Sequence, residues 1–242
     1  MAFFLSFSAV AEVNSNFKFQ FRSKPGATNV LGVLAYDELL WGKFSKDTPL
    51  YGYYKLGAVA GGSPTLGAFI EVAPIAPLVF RYQKSITYRF LKSSSFDCAT
   101  EYCFGAFERN DFSVQLAAGY GRMIGFASYL WRNVNAPDSS NPVVAEQELF
   151  TISSGAHSYN EAGLTMGYLL RDSSVVGLNF TSAEISEGRR RSRSIYGIYH
   201  WKWNGFDLTA GAGRYDTDQP EVSGSGVLFI IGKKFGESLS LF

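Results

Sequence analysis

Along this chain large apolar or aromatic side chains return at every second position. Asn16-Phe17-Lys18-Phe19-Gln20-Phe21-Arg22 carries the pattern near the start, and Val227-Leu228-Phe229-Ile230-Ile231-Gly232-Lys233-Lys234-Phe235 near the end. A period of two belongs to a β-strand and cannot form one face of a helix. The pattern recurs between turn residues and predicts strands near 14–22, 28–41, 50–60, 65–74, 77–92, 111–120, 122–134, 160–171, 174–186, 192–203, 206–215 and 225–235. Short connections fall at Pro74-Ile75-Ala76-Pro77, Gly121-Arg122, Asp172-Ser173-Ser174 and Asn204-Gly205, the last being the strongest local hairpin signal. Longer connections fall near 93–110, 135–159, 187–191 and 216–224, so short and long ends alternate through the second half. The first half fits this less well, because Pro25-Gly26-Ala27-Thr28 is short where a long loop is expected and 42–49 is long.

The two faces of single strands differ in character. Leu78, Phe80, Tyr82, Ile86, Tyr88 and Phe90 share one face, against Arg81, Gln83, Ser85, Thr87 and Arg89 on the other. Lys84 breaks this register and predicts a bulge or a different turn position, because a cation near a bilayer midplane costs roughly 2 to 4 kcal/mol. Phe112, Val114, Leu116, Ala118 and Tyr120 form a cleaner apolar face, as do Leu164, Met166, Tyr168 and Leu170. Trp201 and Trp203, just before the Asn-Gly turn, read as an interfacial aromatic belt.

These features predict an all-β fold, a transmembrane antiparallel up-and-down barrel of about twelve strands, with ten to fourteen compatible with the turns. The strand lengths suit a bilayer crossed by about 9 to 11 tilted residues. Mean hydropathy is −0.01 because lipid-facing and lumen-facing residues cancel on averaging, and no charge-free apolar run reaches the ~20 residues of a spanning helix. Aromatic residues at 16% and 25 glycines suit interfacial girdles and a packed wall. A soluble sandwich or lipocalin-like barrel also alternates, but twelve such strands would need a very large shared core. The start, through Ala9-Val10-Ala11, reads as the apolar part of an export signal, so residues 1–11 are expected to be a signal-peptide remnant and 12–242 one barrel domain. A formal charge of +1 gives no footing for a nucleic-acid partner.

Over residues 12–235 the chain resembles bacterial outer-membrane β-barrel proteins as a class. Val227, Phe229, Ile231 and Phe235 resemble the alternating, aromatic-ended last strand of that class, and Phe242 offers a second such end. The resemblance implies a bacterial outer-membrane location, contact with its lipid and lipopolysaccharide, and recognition by the barrel assembly machinery during biogenesis.

Three function classes compete. The expected inward positions Lys18, Arg22, Lys55, Arg81, Arg89, Arg171, His200, Lys202 and Lys234 outnumber Asp37, Glu71 and Asp207, which suits a passive channel or transport barrel for small solutes, anions included. A structural or surface-interaction barrel is the alternative, and there Arg189, Arg190, Arg191 and Arg193 form a basic outer-loop patch for phosphate groups. A membrane-embedded lipid hydrolase is the third, resting on His157, Ser158, Asn160 and Glu161, although neighbouring strand residues point to opposite faces. Cys98 and Cys103 are expected to form a disulfide closing one loop of an exported protein, and no metal ligand set or cofactor motif is evident.

Overall fold

Alternating side chains and short polar turns produce strands β1 (Ala11–Arg22), β2 (Ala27–Trp41), β3 (Gly52–Gly61), β4 (Thr65–Ile75), β5 (Leu78–Arg89), β6 (Gly105–Tyr120), β7 (Met123–Asn135), β8 (Ala145–Gln147), β9 (Ile152–Ser154), β10 (Ser158–Leu169), β11 (Val175–Ile185), β12 (Arg191–Trp203), β13 (Phe206–Thr217) and β14 (Gly224–Phe235). The computed structural model describes residues 11–23, 27–43, 50–61, 64–89, 105–135, 145–147, 152–154, 158–185, 191–218 and 223–236. Residues 1–10 of the expected export signal, Cys98, Cys103, His157, Arg189 and Arg190 lie outside the described residues, and Ala11 opens β1.

Twelve strands close into one antiparallel barrel in which sequence neighbours pair, β7 pairs with β10, and β14 returns to β1. Strands β8 and β9 form a separate small hairpin that the sequence pattern does not foreshadow. Following register partners once around the wall returns to β1 displaced by about 16 residues, which for twelve strands means a tilt of about 45° and a backbone radius of about 12 Å. A wall this wide lies between small barrels that side chains fill and large ones that hold open channels.

Turn chemistry sets the register of the hairpins. Asn204 (φ 48°) and Gly205 (φ 76°) both take positive φ, the two-residue turn whose twist matches its flanking strands. At Ser173 (φ 67°) the turn is held instead by Asp172, which accepts hydrogen bonds from the Ser174 N–H and Oγ–H.

Outward positions carry large apolar side chains that remain exposed, among them Leu34, Leu66, Leu116, Leu178 and Val227. Tyr120, Tyr168, Trp203 and Phe235 stand at one end of this band, an aromatic belt beside the short turns. Lys233 also faces outward there, its ammonium over the rings of Phe206 (4.6 Å) and Phe235 (5.1 Å).

Two expectations are corrected by the register. No bulge accompanies Lys84: β5 pairs without interruption with β6, and the shift against β4 lies between Val72 and Ile75. Lys84 faces outward beside its register partner Asn110, which also receives the Tyr82 hydroxyl at 3.1 Å, and Asn110 in turn pairs with Asn133. This polar row marks the edge of the apolar band, within reach of the long lysine stem. Strand β6 begins at Gly105 instead of near 111, because the wall is taller here and both partners extend to meet it. The outward Glu108 and Asn110 looked like loop residues in sequence, yet they belong to the part of the strand beyond lipid.

Candidate functional site

Strands β2 to β5 set Asp37, Lys55, Glu71 and Arg81 side by side as successive register partners, acid and base alternating on the inner wall. Lys55 Nζ lies 3.7 Å from Asp37 Oδ2, and Asn14 Nδ2 donates to Asp37 Oδ1 at 2.9 Å. Tyr53 Oη donates to Glu71 Oε1 at 3.0 Å, while Arg81 Nη1 lies 3.8 Å from Glu71 Oε2. Arg81 also donates to Gln83 Oε1 at 2.7 Å and lies over the Phe69 ring at 3.7 Å. In the next row Arg132 forks onto Asp111, Nε to Oδ1 at 2.6 Å and Nη2 to Oδ2 at 2.5 Å. Opposite charges one strand apart neutralise each other, so this side of the bore presents a locked, nearly neutral wall.

The facing wall is built differently. Tyr196 and Tyr215 are fully buried on inward positions of β12 and β13, and the Arg22 guanidinium lies 5.1 Å from the Tyr215 ring centre. Gly213, the register partner of Tyr196, leaves room on this wall, since a side chain there would collide with Ile195 backbone. Nearer the short turns, His200 Nδ1 lies 3.0 Å from Thr209 Oγ1, and His200 Nε2 and Lys202 Nζ each lie 3.9 Å from Asp207 Oδ1. Gly232 separates Asp207 from Lys18 along one register row. Lys18 points into the barrel and is nonetheless exposed, with no hydrogen bond or ion pair among the described residues. That exposure requires solvent-accessible space inside the bore beside it.

Lys18, Arg22, Lys55, Glu71, Arg81, His200, Lys202 and Asp207 thus all occupy inward positions, and the structure gathers them into two groups, a paired ladder and a looser basic cluster. Arg89 ends β5, and its side chain lies outside the described residues. Arg171 is corrected: it stands exposed in the turn after β10, because that strand ends at Leu169. Sequence reasoning missed four inward charges, Arg109, Asp111, Arg132 and Glu161, of which Asp111 and Arg132 form the tightest pair of the wall.

The other candidates do not assemble into a centre among the described residues. Ser158 and Asn160 fall on outward positions of β10 while Glu161 faces inward, so no nucleophile and base converge there. Arg191 and Arg193 face outward at the end of β12 remote from the Asn-Gly turn. Arg191 is tied to Glu184 at 2.7 Å, and nearby Arg214 to Asp216 at 2.8 Å, so this patch carries its own counter-charges.

A closed wall that satisfies its own backbone, apolar outside and charged within, defines a transmembrane β-barrel protein. Among solved structures the chain is similar to an outer membrane channel from Pseudomonas putida F1, with a TM-score of 0.48 at 9% identity, covering 93% of this chain and 95% of that one. It is similar to a loop L8 deletion mutant of OmpT, an outer membrane protein of Vibrio cholerae (TM-score 0.47, 8% identity, 95% and 99% covered). It is also similar to the β domain of the Bordetella autotransporter BrkA (TM-score 0.43, 10% identity, 94% and 98% covered). No family model and no curated protein matches the sequence. At these identities and TM-scores none of the three structures lends this chain an activity.

Proposed function

We propose that this barrel is a passive channel for small solutes, lying in the outer membrane with both chain ends on the periplasmic side, and that its bore favours anions. The observation that carries the reading is Lys18, an exposed cation pointing into the bore of a barrel about 12 Å in backbone radius. Lys202 on the same wall is also exposed, and water screens its pairing with the half-buried Asp207, unlike the buried pairs of the ladder. Because Lys55, Arg81 and Arg132 are each paired with an acid on the first wall, the exposed lysines of this second wall weigh most in the selectivity. The buried Tyr51, Tyr53, Phe107, Tyr196 and Tyr215 narrow the bore, which suits small solutes over large ones. Contact with lipopolysaccharide at the outer rim and delivery by the barrel assembly machinery belong to the same reading.

Planar-bilayer recording on the purified, folded barrel tests it. The expected result is a conductance whose reversal potential favours chloride over potassium and whose preference weakens as salt screens the lysines. Replacing Lys18 and Lys202 with glutamate should shift the reversal potential toward cations. A folded barrel that carries no current would instead be a structural barrel sealed by its inward tyrosines.

A further inference from the structure

We propose that Glu38, Tyr36 and Tyr54 form a binding site for a primary-ammonium lipid head group of the phosphatidylethanolamine type on the outer face of the barrel. The site depends on the membrane placement of the barrel and not on the channel reading. Glu38 is an outward residue of β2, on a face otherwise made of Leu34, Tyr36 and Leu40, with Leu56 on the neighbouring strand. Tyr54 is its register partner on β3, and Tyr36 precedes it by one outward position. Both hydroxyls donate to the same carboxylate oxygen, Oε2, the Tyr36 bond being 3.1 Å. Oε1 has no partner among the described residues, and no described cation lies within ion-pair distance of the carboxylate. The tyrosines therefore fix the orientation of the acid without neutralising it.

A carboxylate held on the lipid-facing wall needs a counter-charge that arrives from the membrane side. Its depth selects the source. Glu38 lies near the end of β2, on the same rim as the short turns, where head groups meet the aromatic belt. That rim faces the periplasmic leaflet under the orientation proposed above. A primary ammonium there would donate to Oε1 and lie against the Tyr36 and Tyr54 rings, whose centres stand 6.4 Å apart at an interplanar angle of 52°. A choline head group has no N–H to donate, and a glycerol head group brings a negative phosphate with no cation to offset it. The chemistry therefore selects ethanolamine over both.

The test is native mass spectrometry of the purified barrel with an equimolar mixture of phosphatidylethanolamine, phosphatidylcholine and phosphatidylglycerol of matched acyl chains. Wild-type protein should retain phosphatidylethanolamine over each competitor by roughly tenfold, the scale of one charge-assisted hydrogen bond. Glu38→Gln should erase that preference, and Glu108→Gln, an outward acid at the opposite rim, should leave it intact. Equal retention of the three lipids by the wild type overturns the proposal. So does a preference that survives Glu38→Gln. Because the wild-type competition needs no variant, a folding defect in Glu38→Gln would not rescue the idea.

Discussion

The Arg132–Asp111 pair offers the sharpest test of how this wall is held together. Both side chains are about nine-tenths buried (8% and 10% exposed), and two short hydrogen bonds join them across β6 and β7. Removing one partner leaves a charge with little hydration, a change that costs about 3 to 5 kcal/mol in deeply buried pairs. The bore side retains some water, so about 3 kcal/mol is expected for Arg132→Met and slightly less for Asp111→Leu. Removing both charges as Arg132→Met with Asp111→Leu should recover most of the loss, since well-packed apolar pairs replace buried ion pairs at little cost. With the double variant within about 1.5 kcal/mol of wild type, the coupling energy is about 4 kcal/mol, roughly a thousandfold change in the folding equilibrium. Urea unfolding of the barrel in lipid vesicles, followed by tryptophan fluorescence, measures it. A coupling below about 0.5 kcal/mol, the range of exposed surface pairs, would falsify the view that this pair locks the wall.

Three further outcomes are expected. Gly213→Ala should destabilise the barrel by about 2 kcal/mol, because the new Cβ would lie 1.9 Å from the Ile195 carbonyl oxygen and only backbone movement can relieve it, whereas Gly197→Ala meets nothing nearer than 3.7 Å; equal unfolding midpoints for the two variants would contradict this. Gly205→Ala finds open space yet must hold φ near 76°, so about 1 kcal/mol of purely conformational cost is expected, visible as faster amide exchange in the β12–β13 turn. The Ser174 hydroxyl and N–H hold the Asp172 carboxyl below its ordinary pKa, so its stabilisation of the turn is complete above the unfolded-state value and is lost as pH falls through the lower folded value. Protection of the Ser174 amide should therefore fade on acidification in the wild type and be pH-independent in Asp172→Asn.

Much of the barrel was legible because alternation reports which face each residue occupies without any knowledge of pairing. Parity alone put Lys18, Lys55, Glu71, Arg81, His200, Lys202 and Asp207 on one face, and the structure gives those residues inward positions. Which residues meet across strands is a different quantity, fixed by the turns. The two-residue turn at Gly121-Arg122 pairs Tyr120 with Met123, and counting outward from it brings Asp111 opposite Arg132. That pair was therefore readable in principle; placing the start of β6 near 111 hid it by putting Asp111 at a strand edge. The Asp37–Lys55 pair was not readable, because a long connection and a register shift between Leu39 and Trp41 separate its strands. The same holds for Glu71 and Arg81, whose hairpin contains the shift between Val72 and Ile75.

The distinction between facing and pairing changes which cations can govern selectivity. Counting inward charges alone makes Arg81 as good a candidate as Lys18. Pairing separates them, for Arg81 is committed to Glu71, Gln83 and the Phe69 ring, and Lys18 has no such partner among the described residues. Arg81→Glu would place two carboxylates side by side on the inner wall, where like charges repel and the cation–π contact is lost. Its expected effect is a lower unfolding midpoint with little change in the ion preference of whatever fraction folds. Lys18→Glu should do the reverse, shifting reversal potential while leaving the midpoint nearly unchanged. Recording and unfolding both variants side by side decides the matter, and a larger selectivity shift from Arg81→Glu than from Lys18→Glu would move the anion-favouring site to the paired ladder.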